Sequence, residues 1–143
     1  MLQEREIVLC KAIHENPLDF KKGFRDHSYL SKDGTMYAVF TKEESLDEII
    51  TYFKENTEGY VFSKSFLVYT VGIPKPILEA SDVEFSDGEA LNTPQLLRLI
   101  EKTVGLRYFA ECCARHNGGY GYYISAVHGK EVRQDGYYVY KFE

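Results

Sequence analysis

The sequence predicts an α+β fold, a mostly antiparallel sheet of about five to six strands with two to three helices packed on it. Short apolar runs bounded by turn residues recur along the chain, and helix starts are marked by Asn16–Pro17 and Thr93–Pro94. The order strand, helix, strand, helix, strand, short strand, helix, strand, strand lacks the strict alternation of a parallel sheet. At 143 residues the chain is sized for a single globular domain spanning 1–143.

Arg5 to Ile13 carries Ile7, Val8, Leu9, Ala12 and Ile13 in a compact apolar run, read as a buried strand with a short helix as the alternative. Pro17 opens a short helix over 17–26, with Leu18, Phe20 and Phe24 on one face. Lys32, Asp33 and Gly34 turn the chain into an interior strand from Thr35 to Thr41. A helix follows, capped by Ser45, with Asp47 and Glu48 in its first turn and Ile49, Ile50 and Phe53 inward, ending near Asn56. The segment from Gly34 to Leu46, GTMYAVFTKEESL, resembles the strand-to-helix junction of the SseB family of secretion-enhancer proteins, in which an apolar strand ends in Phe-Thr before an acidic helix. The resemblance covers about a dozen residues and implies that local junction, with no residue roles attached.

Gly59 to Gly72 is rich in β-branched and aromatic residues and predicts one long strand or a hairpin. Pro74 and Pro76 make Gly72 to Ile77 a connector or an edge. Glu79 to Glu89, with five acids and no base, predicts a solvated segment containing one short strand anchored by Val83 and Phe85. From Thr93–Pro94 an apolar pattern runs through Leu96, Leu97, Ile100, Val104 and Phe109 to Cys112 and predicts a helix of about six turns, kinked at Gly105 and stopped at Asn117–Gly118. Tyr120 to Val127 and Gly136 to Phe142 then read as antiparallel neighbours.

Seventeen basic and twenty-two acidic side chains give a net charge of −5, unevenly placed. Residues 1–93 hold ten bases and seventeen acids; residues 94–143 hold seven and five, with four of the six arginines and seven of the twelve tyrosines. The longest uncharged stretches, Ser65 to Pro74 and His116 to Gly129, are shorter than the roughly 20 apolar residues of a membrane span. Three cysteines, two of them adjacent, fit reduced thiols, and the charged opening MLQERE lacks the apolar core of a signal peptide. A cytoplasmic location is expected, without a cofactor.

Two candidate sites emerge. In the first, a ligand-binding site for an anionic metabolite or nucleotide, Arg107, Arg115 and His116 supply charge, and Tyr120 and Tyr122 of the GGYGYY joint supply stacking faces. Its glycines follow a helix, the wrong polarity for a phosphate loop. Cys112 and His116, four apart, share a helical face, yet a metal site lacks further ligands, and a helix C-terminus raises a thiol pKa. In the second, Arg133, Tyr137, Tyr138 and Tyr140 form an interaction surface of the composition that anchors protein interfaces. A further acid-base possibility is that His27, with Arg25, meets His128 and Lys130 at one end of the sheet. The leading functional expectation is a small binding or regulatory protein acting through protein–protein recognition; the alternative is a small enzyme or ligand-binding domain. Another protein is the expected partner, a homodimer by edge pairing remains open, and neither nucleic acid nor membrane is expected.

Overall fold

A computed structural model of the chain describes residues 4–14, 21–23, 27–31, 33–57, 60–124 and 131–142. It is a mixed α+β structure with seven helical segments and eight strands among the described residues, the strands forming two antiparallel sheets. The expected sheet of five to six strands is thus one of five strands and a second of three, and the helices outnumber the two to three expected. The contacts group into two compact units, Met1–Leu46 with Asn117–Glu143, and Asp47–His116.

The first unit starts with α1 (Glu4–Ile13), where the sequence favoured a strand. Burial explains the difference: Val8 and Leu9 are enclosed while Ile7 is 41% exposed, and Ala12 and Ile13 join the same apolar cluster. Positions 8, 9, 12 and 13 lie on one helical face, whereas strand alternation would scatter them. Glu4 and Glu6 in the first turn and Lys11 in the last suit the helix dipole. The face packs on Tyr29, Val39 and Val139 of the sheet.

That sheet runs β1 (Lys21–Lys22), β2 (Ser28–Leu30), β3 (Met36–Phe40), β8 (Tyr137–Lys141), β7 (Glu131–Gln134), with every pair antiparallel. Lys21 and Lys22 are therefore strand where a helix over 17–26 was expected; Pro17 to Phe20 and Phe24 to Asp26 lie outside the described residues. The interior strand is β3, paired on both sides. Before it, the Asp33 carboxylate accepts hydrogen bonds from the Ser31 hydroxyl and the Thr35 N–H, which hold its pKa at about 2. The strand preceding β8 is β7, not Tyr120 to Val127; Gly121–Ile124 forms the short helix α6, and residues 125–127 lie outside the described ones. Asp135 and Gly136 both have positive φ (52° and 82°), the type I′ geometry that matches strand twist in a two-residue hairpin.

The chain passes into α2 (Lys42–Glu55) through a reciprocal cap. Thr41 Oγ1 accepts from the Glu44 N–H (3.2 Å) and Glu44 Oε1 accepts from the Thr41 N–H (2.8 Å), so Thr41 takes the capping place expected of Ser45. Ser45 is instead buried one turn further on, its hydroxyl donating to the Thr41 carbonyl. Glu44 also receives both Arg5 Nη atoms and lies 3.0 Å from His27 Nε2. Partial burial pushes the Glu44 pKa up, but the hydrogen bonds from Arg5 and Thr41 and the charge of Arg5 outweigh it and hold the carboxyl below its ordinary value. A carboxyl depressed on folding contributes stability above its unfolded pKa of about 4.3 and loses it as pH falls through the folded value. Glu44→Gln, which keeps an oxygen for the cap, is expected to lower the urea midpoint at pH 7 and to approach the parent protein at pH 3; a constant gap between the two curves would show that the ionised pair contributes nothing.

The second unit holds the remainder of α2, the sheet β4 (Val61–Ser63), β6 (Glu89–Leu91), β5 (Phe85–Ser86), a π-helical segment (Phe66–Val71), and the helices α3 (Lys75–Glu79), α4 (Pro94–Thr103) and α5 (Leu106–His116). The strand or hairpin expected over Gly59 to Gly72 stops at Ser63. Ser63 Oγ accepts the Phe66 N–H and Gly72 (φ 94°) closes the segment through its N–H to Leu67 O, so burial falls on Phe66, Leu67 and Val71 rather than on alternate residues. Asp87 and Gly88 (φ 52° and 79°) make a second type I′ turn, between β5 and β6. The expected six-turn helix is divided into α4 and α5. Gly105 (φ 90°) leaves the helical conformation, and Glu101 Oε2 accepts the Leu106 N–H (3.0 Å), capping the restart. Thr93 caps α4 as expected, accepting from the Leu96 N–H.

The core of this unit is aromatic. Phe53, Phe62 and Phe109 lie with ring centroids 5.1–5.6 Å apart, and Phe66 stands 6.4 Å from Phe109. Among the described residues no helix is long and apolar enough to cross a membrane.

Candidate functional site

In the first unit, alternation along β8 splits the tyrosines between the two faces of the sheet. Tyr138 and Tyr140 share one face, and Tyr137 lies on the other. There the Tyr137 hydroxyl donates to Glu4 Oε2 (3.0 Å) and Arg5 stands 5.2 Å from its ring, so Tyr137 belongs to the α1 side. The Glu4 hydrogen bond, aided by burial and charge, pushes the Tyr137 phenol pKa up. Tyr140 has no exposed surface, and its hydroxyl meets Ser45 Oγ at 2.7 Å. Of the four residues expected to form a surface, only Arg133 and Tyr138 are brought together where a partner can reach them.

Arg133 and Tyr138 sit directly opposite each other across β7 and β8. The guanidinium lies 5.3 Å from the Tyr138 ring centre, and the Tyr120 ring stands edge-on to Tyr138 at 5.1 Å. Tyr138 is half-buried and Arg133 largely exposed. Tyr120, assigned from sequence to the ligand-binding candidate, thus supports the other candidate's tyrosine. Tyr122 is 52% exposed and stacks edge-on with Tyr123, whose hydroxyl accepts from Asn117 Nδ2 (2.8 Å).

Glu131, which sequence reasoning did not single out, organises this cluster. Its Oε1 accepts the Gly121 N–H (2.9 Å) and its Oε2 accepts Arg133 Nε (3.2 Å), with only 10% of the side chain exposed. That hydrogen bond, with Tyr138 adding to it, pushes the Arg133 pKa up. Gly119 beside it has φ 140°, a conformation that favours glycine, and a Cβ there would press on Glu131 Oε1 at 2.7 Å and displace the carboxylate. The only sequence signal was Glu131-x-Arg133 in a strand, a spacing that places two opposite charges on one face. The chemical consequence concerns the glycine-rich joint. The Gly121 N–H that an anionic ligand would seek already holds the protein's own carboxylate, and Arg133 is paired with the same group.

The other ligand-site residues belong to the second unit and do not form a cluster. Arg107 donates to Asp47 Oδ1 (2.8 Å), and eight residues of helix, roughly 12 Å of rise, separate it from Arg115. Arg115 and His116 are exposed in the last turn of α5, with the His116 ring 4.9 Å from Phe66. Cys112 is buried while His116 is exposed, so their shared spacing does not make a thiol–imidazole pair open to a ligand. Cys112 instead neighbours Tyr108, and that hydrogen bond pushes the Tyr108 pKa up. Among the described residues no group of three or more His, Cys, Asp or Glu side chains converges as for a metal ion. His27 faces Glu44; Arg25, His128 and Lys130, proposed to join it, lie outside the described residues. No protein-family model, curated protein or solved structure matches this chain.

Proposed function

We propose that this chain is a small cytoplasmic binding or regulatory protein that recognises another protein through the β7–β8 hairpin, with Tyr138 and Arg133 as its anchors. The observation that carries the reading is the Tyr138 ring in contact with both the Arg133 guanidinium of the edge strand β7 and the Tyr120 ring. Tyrosine and arginine dominate the energetics of protein interfaces because they desolvate large, stiff surfaces at low entropic cost. Here each already has a contact that favours its placement, Arg133 with Glu131 and Tyr138 with Tyr120, and pre-placement lowers the cost of binding. Cys112 and Cys113 are both buried in α5, packed as small apolar side chains, which is in keeping with a reducing compartment. The ligand-binding alternative is the weaker reading, because Glu131 occupies the backbone donor and the arginine an anion would use.

The test is quantitative capture by the full chain, in the parent form and as Arg133→Ala, Tyr138→Ala and, as a remote control, Lys102→Ala. A partner retained by the parent and the control is expected to be lost roughly tenfold or more with each hairpin variant, the size of an interface hot spot. Arg133 is exposed, so its removal leaves folding intact and reads the surface directly. Identical capture by all four proteins would overturn the assignment.

A further inference from the structure

The break at Gly105 has a second product. In the second unit, the last turn of α2, the α4 helix and the start of α5 enclose a groove of about 310 Å³. Pro94, the buried Leu97 and the half-buried Leu106 give it apolar lining; Lys54, Arg98 and Glu101 are exposed around them. The volume is at the lower end of the range for small-molecule sites, roughly 300–1,000 Å³.

The three charges are not equivalent. Glu101 is committed, since its Oε2 caps the Leu106 N–H at 3.0 Å. The Lys54 and Arg98 side chains make no ion pair or hydrogen bond with any described residue. The position of Lys54 in the last turn of α2 is favoured by the helix dipole; Arg98, within α4, has no comparable account. Lys64, Lys75 and Arg107 of the same unit face carboxylates of their own, and Lys102 and Arg115, which have no ion pair with a described residue either, do not line the groove. An apolar floor bordered by two uncommitted cations complements one kind of occupant.

We propose that this groove binds a small organic carboxylate with a compact hydrocarbon body. The hydrocarbon lies on Pro94, Leu97 and Leu106, and the carboxylate is met by Arg98, whose planar fork suits bidentate pairing, and by Lys54. A neutral molecule of the same shape keeps the apolar contact and loses the charge-assisted bonds. A purely ionic ligand loses the floor. The site shares no residue with the hairpin surface: its residues belong to 47–116, whereas the hairpin's belong to 117–143.

The experiment is calorimetric titration of the full chain with 2-naphthoate, and with 2-naphthamide as the uncharged analogue. Saturable binding of 2-naphthoate is expected with Kd below about 1 mM. The double variant Lys54→Gln/Arg98→Gln and the amide are each expected to bind at least tenfold more weakly. Lys102→Gln, an exposed cation of α4 that does not line the groove, should leave affinity unchanged, separating local contact from general charge attraction. Leu97→Met, a volume-conserving change, keeps a reading of the floor without unfolding the helix, and shifted affinity with unchanged charge dependence is its expected result. Three outcomes would each overturn the proposal: no saturation up to several times 1 mM, equal binding of acid and amide, or equal loss in the Lys102 and Lys54/Arg98 variants.

Discussion

Phe109→Ala is expected to destabilise the protein by about 3–5 kcal/mol, the range for removing a fully enclosed aromatic side chain. Phe109 has no exposed surface and is ringed by Phe53, Phe62 and Phe66, at 5.6, 5.1 and 6.4 Å between centroids. These rings come from α2, β4 and the π-helical segment, so three separate stretches of sequence meet on one side chain of α5. Truncation loses the apolar transfer energy and leaves a void that stiff, interlocked rings close poorly. Edge-to-face contacts, worth roughly 0.5–1.5 kcal/mol per pair beyond burial, go with it. Phe109→Leu retains much of the volume and is expected to cost less than half as much. Urea unfolding of the three proteins measures both values. Against a total of about 5–15 kcal/mol for a typical domain, the alanine variant forfeits a large part of the margin. A loss below about 1 kcal/mol would show that this cluster is not the core of the unit.

What was legible in the sequence follows from the reach of the forces involved. The Thr93–Pro94 start of α4, the β3 strand and the Asn117–Gly118 stop after α5 are set by neighbours a few residues away, and they read correctly. The α1 run did not, because a short apolar segment suits either a strand or a helix until its partner is known; the sheet face offered by Tyr29, Val39 and Val139 decided it. Phe66 to Val71 has strand composition but ends on a glycine that caps a helical turn, and local geometry there overrode propensity. Two Asp-Gly dipeptides, Asp87–Gly88 and Asp135–Gly136, carried hairpin signals that would have placed β5–β6 and β7–β8 directly. Asp33–Gly34 shows the limit of that signal, since the Asp33 side chain captures the Thr35 N–H and builds a different turn. The candidate site was half legible. Arg133 and Tyr138 stand out by residue type, whereas the role of Glu131 depends on Gly121 ten residues away, a meeting no spacing announces.

Tyr140 separates the residue types that suggest a surface from the packing that decides one. Tyr140→Ala is expected to cost about 3–5 kcal/mol and Tyr140→Phe about 1–2 kcal/mol, both read by urea unfolding. The Ser45 hydroxyl has one hydrogen, and it goes to the Thr41 carbonyl at 2.9 Å; the 2.7 Å bond between Ser45 and Tyr140 is therefore donated by the phenol. Burial pushes the Tyr140 pKa far above the ordinary value, so the donor keeps its proton wherever the fold is stable. Phenylalanine removes only that donation, leaving the serine bonded to Thr41 and the ring against Phe40 at 5.7 Å. Alanine removes the ring that fills the sheet face between Ala38 and Glu131 in register. Tyr140→Phe is thus expected to leave partner capture at the parent level while Tyr138→Ala reduces it, although the two tyrosines are only two residues apart on one strand. A folded Tyr140→Phe protein that loses its partner would place the recognition surface elsewhere than on the Arg133–Tyr138 pair. An alanine variant as stable as the parent would mean that Tyr140 is not the buried link between β8 and the first turns of α2.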